Sequence, residues 1–259
     1  MKKENILCFI AALISCTAIF CSCGASDENV PDVSKMTVSA EAESISDVDL
    51  TKGASSLFEC ADGWCNGNMF NVTWRKENCT FENGRMQLII DKDKKDGSVP
   101  YSGAEYRSKD FYGYGRYEVR MKAIKNDGVV SSFFTYTGPS DNNPWDEIDI
   151  EILGKDTTKV QFNYFTDSKG NHEYLYDLGF DASEDFHDYA FEWHKDKIVW
   201  FVDGKEAYTA AENIPVTPGK IMMNAWCGTG VDSWLNAFDD SHMPLTAEYE
   251  KISFTPFDE

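Results

Sequence analysis

From about residue 57 onward, apolar and polar positions alternate with a period of two, and no stretch keeps a 3.6-residue apolar stripe for more than a turn or two. Over 116–122, Tyr117, Val119 and Met121 alternate with Arg116, Glu118, Arg120 and Lys122, which predicts a half-buried strand. Asn83-Gly84 lies between runs at 79–82 and 85–90, and Asp203-Gly204 between runs at 198–202 and 205–209. Both pairs match type I′ hairpins, whose two central residues need positive φ. Many short strands without helical crossovers predict an all-β fold, an antiparallel two-sheet sandwich.

Three predicted strands depart from plain alternation. Over 147–154, Ile148, Ile150 and Ile152 take one face, and Glu147, Asp149 and Glu151 take the other. Over 159–166 the split is Val160, Phe162, Tyr164 against Gln161, Asn163, Phe165, and over 220–226 it is Ile221, Met223, Ala225 against Met222, Asn224, Trp226. One face of each strand is core. The other gathers carboxylates, amides and large rings, a mixture suited to sugars, whose C–H faces stack on rings while their hydroxyls bond to amides and acids.

Composition narrows the partners. The chain has 259 residues, with 24 Lys+Arg against 44 Asp+Glu and a net charge of −20. Nucleic-acid sites need clustered cations, so that partner class is excluded, and anionic polysaccharides are disfavoured. The aromatic share of 14% falls almost wholly after residue 57, and it is expected to supply sugar-stacking surface. Lys2 and Lys3 precede an apolar run over 6–20 that is too short to span a bilayer with polar flanks, so 1–25 reads as an export signal peptide. Phe20-Cys21-Ser22-Cys23-Gly24 resembles a bacterial lipobox, which would lipidate Cys23; ordinary cleavage after Ala25 is the alternative. Either way the protein is expected outside the cell or anchored at its surface, with membrane contact only through that lipid. Residues 26–52 are acidic, Ser-containing and free of aromatics, and are expected to form a flexible linker ahead of a single catalytic domain over 53–259. That domain keeps Cys60, Cys65, Cys79 and Cys227; three full pairings exist and the sequence does not choose among them.

Three carboxylates at two-residue steps on one strand face repel one another unless they are protonated, hydrogen-bonded or metal-bound. Three readings stand at this level. A metal site is disfavoured because collinear strand positions rarely wrap an ion. A solvated acidic edge is the bland reading. A glycosidase pair is the third, although residues i and i+4 on a strand have Cα atoms about 13 Å apart, against about 5–5.5 Å between the carboxyls of a retaining enzyme.

The run Trp145-Asp146-Glu147-Ile148-Asp149-Ile150-Glu151-Ile152-Leu153-Gly154 resembles the signature of glycoside hydrolase family 16, in particular its bacterial lichenases. The likeness continues through Ala61-Asp62-Gly63, Asn66-Gly67, Met69-Phe70-Asn71 and the stretches 112–122, 130–139 and 218–224. The resemblance implies a jelly-roll sandwich with a concave cleft, working as a monomer on a β-glucan polysaccharide and needing no cofactor for catalysis. It assigns Glu147 as nucleophile, Glu151 as acid/base and Asp149 as the residue between them that tunes both. It also assigns sugar contacts to Asn66, Glu105, Arg107, Phe134, Tyr136, Trp145, Asn163, Asn224, Trp226 and Trp234. Trp226 and Trp145 are expected as exposed rings on a polar face; Phe134 could equally be core and Arg107 a structural partner of Glu105. The family's laminarinases carry an extra residue in the motif, absent here, so its spacing points to mixed-linkage glucan, with laminarin, xyloglucan, transglycosylation or a noncatalytic glucan-binding module as alternatives. Val72 and Ser102 or Gly103 stand where the family's cysteines are bridged, and Phe165 where relatives often have Tyr. A structural calcium would fall to the Gly84 carbonyl and to Glu250, the latter in place of an Asp. The four histidines are read as non-catalytic.

Overall fold

The computed structural model describes residues 45–95 and 97–258. The expected signal peptide over 1–25 and the linker as far as residue 44 lie outside the described residues. In chain order the strands are β1 (Ile45–Asp49), β2 (Phe58–Cys60), β3 (Val72–Trp74), β4 (Cys79–Glu82), β5 (Arg85–Lys92), β6 (Tyr101–Ser108), β7 (Gly115–Lys122), β8 (Val129–Thr137), β9 (Asp146–Leu153), β10 (Lys159–Phe165), β11 (Tyr174–Asp177), β12 (His187–Trp193), β13 (Ile198–Val202), β14 (Lys205–Ala210), β15 (Lys220–Cys227) and β16 (Leu245–Pro256). Among the described residues, one α-helical turn, Asp232–Leu235, and three short 3-10 turns, Leu50–Lys52, Lys76–Asn78 and Pro139–Asp141, interrupt them.

The strands form the expected two-sheet sandwich, antiparallel except where β3 runs parallel to β6. One sheet runs β11-β10-β9-β8-β15-β6, with β2 also pairing with β6. The other runs β5-β16-β7-β12-β13-β14, with β4 on β5 and β1 on β16. They join at a corner where β5 pairs with β6 through Asp91↔Ser102 and Lys92↔Tyr101. Both hairpin turns have the expected chemistry: Asn83 and Gly84 lie at φ 54° and 73°, Asp203 and Gly204 at 47° and 72°.

The core lies between the sheets. Ile148, Ile150 and Ile152 from β9, Val160 and Phe162 from β10, and Ile221 and Met223 from β15 are all fully buried in it. Facing them, β7 alternates strictly, with Tyr117, Val119 and Met121 inward. The largest fully buried side chains are mostly aromatic, among them Trp74, Trp193, Trp200, Tyr249, Phe133 and Phe191. Much of the aromatic excess is therefore core rather than sugar-stacking surface. One of these rings also serves the sheet above it, since Trp200 Nε1 on β13 donates to the backbone carbonyl of Asp149 at 3.1 Å.

The linker expectation needs correction at its C-terminal end. Ile45–Asp49 pairs with β16, with Val48 opposite Ile252 and Asp49 opposite Lys251, and Leu50 is fully buried. The apolar residues Ile45, Val48 and Leu50 find an edge to cover, which the average acidity of the segment concealed. The folded unit thus reaches back at least to Ile45.

Ile150 is fully buried beneath the acidic triplet, so Ile150→Ala should cost about 2–5 kcal/mol through lost burial and a residual cavity. Urea unfolding checks this, with a lowered midpoint at unchanged slope as the expected outcome.

Candidate active site

The site is built on β9, which lies between β10 and β8 in the interior of its sheet. Its register is unbroken on both flanks: Glu147 lies opposite Tyr136 and Phe165, Asp149 opposite Phe134 and Asn163, and Glu151 opposite Ser132 and Gln161. Because side chains alternate, these residues share the face away from the core. The next strands extend the row, with Ser132 opposite Asn224 and Asn224 opposite Glu105.

Each acid of the triplet has its own partner. Trp145 Nε1 donates to Glu147 Oε2, and the Trp145 ring stacks on Phe165 with centroids 4.4 Å apart. Asp149 hydrogen-bonds to Glu147. Gln161 Nε2 donates to Glu151 Oε2 at 2.8 Å, and Trp234 Nε1 in turn donates to Gln161 Oε1 at 3.1 Å. Alternation along β10 puts Gln161 on this face in the sequence, and its role follows only from these two bonds.

Electrostatics follow from burial. Burial pushes the Glu147 carboxyl up to about 7, offset in part by its hydrogen bonds from Trp145 and Asp149. Burial, then the charge of Glu147, pushes Glu151 up to about 8, offset by the bond from Gln161. Asp149 is raised well above the usual carboxylate range by burial and by both neighbouring glutamates, so it is held protonated and donates to Glu147. The arrangement therefore offers one ionisable carboxylate and one retained acid on the same strand. These titrations belong to the set rather than to single residues.

A fourth acid, Asp146, lies at the start of β9 on its core face. Its Oδ1 accepts from Asp167 N at 2.8 Å, and its Oδ2 accepts from Val216 N and Thr217 N at 3.0 and 2.9 Å. It fastens two loops beside Glu147, joined there by a bond from Ser168 N to Trp145 O at 2.9 Å.

The other expected contacts are mostly brought to this face. Phe134 is buried yet stands apart from the main core cluster, opposite Asp149. Tyr136 is half-buried beside Glu147. Asn163 is buried with its Oδ1 lacking a hydrogen-bond partner. Asn224 Oδ1 accepts from Ser132 Oγ at 2.6 Å, and Asn224 also bonds to Glu105, whose carboxyl burial pushes up to about 7. Arg107 pairs with Glu59 at 3.4 Å and Glu105 at 3.9 Å, and stacks over Trp64 at 4.8 Å from the ring centroid. Asn66 lies on the loop between β2 and β3, where its Oδ1 accepts from Trp74 Nε1 at 2.9 Å. Trp234 is half-buried on the helical turn.

Two expectations change. Trp226 occupies the expected face but is only 3% exposed, covered by Phe70 at 4.2 Å and Trp234 at 6.1 Å between ring centroids, so it is not an open platform. Glu250 does not fit the proposed calcium set: its Oε2 accepts from Arg120 Nε at 3.1 Å, which commits the carboxylate to a cation already present. Among the described residues no group of three or more His, Cys, Asp or Glu side chains could hold a metal. Of the histidines, His187 pairs with Asp203 at 2.8 Å and stacks on Phe180, and His172 stacks on Tyr164, away from the triplet.

Comparison with known proteins gives one consistent result. Residues 66–249 match the model of the glycosyl hydrolases family 16. A beta-glucanase of Acetivibrio thermocellus is 61% identical over 202 residues, covering 78% of this chain and 60% of that protein, so the chain spans about 60% of that relative's length. A beta-glucanase of Paenibacillus polymyxa is 56% identical, covering 78% of this chain and 83% of its own. Among solved structures, a prokaryotic beta-1,3-1,4-glucanase (lichenase) from a mouse hindgut metagenome superposes with a TM-score of 0.79 at 57% identity, over 82% of this chain and 98% of that one. The beta-glucanase of Bacillus licheniformis gives 0.77 at 50%, over 81% and 97%. With an acidic strand motif held as described and a family match across most of the folded unit, the chain belongs to the glycosyl hydrolases family 16.

Proposed function

We propose that this chain is an endo-acting, retaining β-glucanase that cleaves mixed-linkage β-1,3-1,4-glucan by double displacement. The observation that carries the reading is the placement of Glu147, Asp149 and Glu151 on one face of an unbroken strand, each glutamate held by a separate donor. The names of the relatives, beta-glucanases and a lichenase, support the substrate class. The regular register of β9 supports mixed linkage over plain β-1,3-glucan, since no bulge turns one acid of the triplet off the face.

In the first step the Glu147 carboxylate attacks the anomeric carbon while Glu151 gives its proton to the departing glycosidic oxygen. The result is a glycosyl ester on Glu147 and a shortened glucan. In the second step Glu151, now a carboxylate, takes a proton from water, the water oxygen attacks the same carbon, and Glu147 leaves as carboxylate. The bonds from Trp145 and Asp149 to Glu147 stabilise its charged form before attack and after release. Gln161, itself held by Trp234, fixes the acid/base without removing its proton. A cavity of about 330 Å³ lined by Gln161, which holds Glu151, together with Leu153, Lys155, Glu173, Leu175 and Trp234, provides room for the leaving chain. Export, read from residues 1–25, accords with a polymeric substrate met outside the cell.

Reducing-sugar release should be substantial on barley β-glucan and lichenan and weak on laminarin, xyloglucan and carboxymethylcellulose; laminarin hydrolysed as fast as β-glucan would overturn the linkage assignment. Glu147→Gln should abolish release on every substrate, and hydrolysis surviving it would remove that residue as nucleophile. Glu151→Gln should lower kcat on β-glucan by about 10²–10⁴-fold, with much of the loss recovered on an aryl β-glucoside whose leaving group needs no proton.

The pH dependence has a definite sign. Activity needs Glu147 ionised, so it rises with pH through the lower value of the coupled set, about 7, and it needs Glu151 protonated, so it falls through the upper value, about 8. The profile of kcat/KM on β-glucan should be bell-shaped. With the activated aryl substrate, Glu151→Gln should lose the falling limb and keep the rising one.

A further inference from the structure

We propose that Cys60 and Cys79 form a disulfide that fastens the base of the loop over the Asn66 end of the cleft, leaving Cys65 and Cys227 as thiols. The two residues lie on different strands, β2 and β4, but their surroundings converge. Cys79 Sγ donates to the backbone carbonyl of Glu105 at 3.5 Å, and the amide of Ala61, next to Cys60, donates to that same oxygen at 2.9 Å. Cys60 lies opposite Tyr106 across β2 and β6. Phe58, two residues before Cys60, and Phe81, two residues after Cys79, both pack on the Tyr106 ring, with centroids at 5.1 and 5.5 Å. Side chains two apart on a strand share a face, so both cysteines point into the seam that Tyr106 closes. There each thiol shifts the acidity of the other, Cys60 downward and Cys79 upward.

The chain between them is already folded back on itself. Gly63 N donates to Trp74 O at 2.9 Å and Trp74 N to Trp64 O at 2.8 Å, so the segment carrying Trp64 and Asn66 emerges from a closed neck. A bond between Cys60 and Cys79 would lock that neck directly beneath Glu105. The other cysteines are occupied elsewhere. Cys65 bonds within its own loop, to Phe70 O at 3.4 Å and from Gly67 N at 3.3 Å, while Cys227 is fully buried against Asn71 O at 3.8 Å.

The step balances with a small-molecule disulfide such as oxidised glutathione as oxidant. The thiolate of half-buried Cys60 attacks one glutathione sulfur, and a glutathione thiolate leaves. Cys79, losing its proton, then attacks the Cys60 sulfur of the mixed disulfide, and the second glutathione leaves. Two protons are released and two electrons pass to the two glutathiones. Cys79 lowers the Cys60 thiol below its ordinary value, and Cys60 together with burial raises Cys79, which makes Cys60 the first attacker.

The test is a non-reducing tryptic map of the full chain after incubation with oxidised glutathione. Residues 53–75 and 77–85 should appear as one cross-linked pair in the wild type and in Cys65→Ser, and as separate peptides in Cys60→Ser. Dithiothreitol should lower the Tm of the wild type by about 5–10 °C, the effect of opening a loop of about 20 residues, and leave that of Cys60→Ser unchanged. Absence of the cross-link, its persistence in Cys60→Ser, or a wild-type Tm indifferent to reductant would each overturn the proposal; the wild-type and Cys65→Ser measurements decide it even if Cys60→Ser does not fold.

Discussion

Everything at the site depends on one constraint: three carboxylates stand at two-residue steps on a single strand face, Asp149 buried and the two glutamates half-buried on either side of it. Ionised together they would repel, and burial alone would neutralise them all. The structure separates their roles with directed hydrogen bonds. Two donors converge on Glu147 and favour its charge, a single amide holds Glu151, and Asp149 between them keeps a proton that it shares toward Glu147. For this to work, β9 cannot slip. A shift of one residue would turn Ile148 and Ile150 into the cleft and the acids into the core. Its register is held by paired neighbours on both sides, by the isoleucines beneath, and by the Trp200 bond to the Asp149 carbonyl from the opposite sheet.

The same logic explains what could be read in the sequence. Period-two alternation makes a strand and its faces visible, so the acid face, its amide and aromatic neighbours on β10 and β15, and both I′ hairpins were all legible. Pairing between distant strands is not encoded in any local window. That Ser132, Asn224 and Glu105 continue the row from Glu151 across the cleft follows only from the strand order β9-β8-β15-β6. Gln161 shows the limit well: its face was readable, but its role arises from Trp234, 73 positions away. Burial is likewise a property of the assembled sheets. Trp226 lies on the polar face as expected, yet Phe70 and Trp234 arrive from separate loops and cover it. At the N-terminus, three apolar residues in an acidic segment sufficed to complete the edge of β16, because an open edge rewards backbone pairing whatever the average composition.

Asp146 shows that an acid inside the motif can serve the backbone rather than the cleft. It is one step from Glu147 and therefore on the opposite face. There its carboxylate gathers three backbone amides from loops at 167 and 216–217. The acidic motif thus divides by parity: odd positions face the cleft, and the even acid ties down the loops that flank it. A strand is suited to this division, since adjacent residues cannot point the same way.

Raising the triplet's pKa values has a thermodynamic consequence that runs against stability. A carboxyl whose folded value lies near 7 or 8 holds a proton that the unfolded chain releases above about 4.5. Its contribution is fully present below the unfolded value and is lost as pH rises through the folded one, so the fold is least supported by these groups once they ionise. A charge on this strand face is thus formed at the expense of the fold. The burden falls on the surroundings of the triplet: the isoleucine face below, the aromatic core between the sheets, and the strand pairing that holds β9 on both sides.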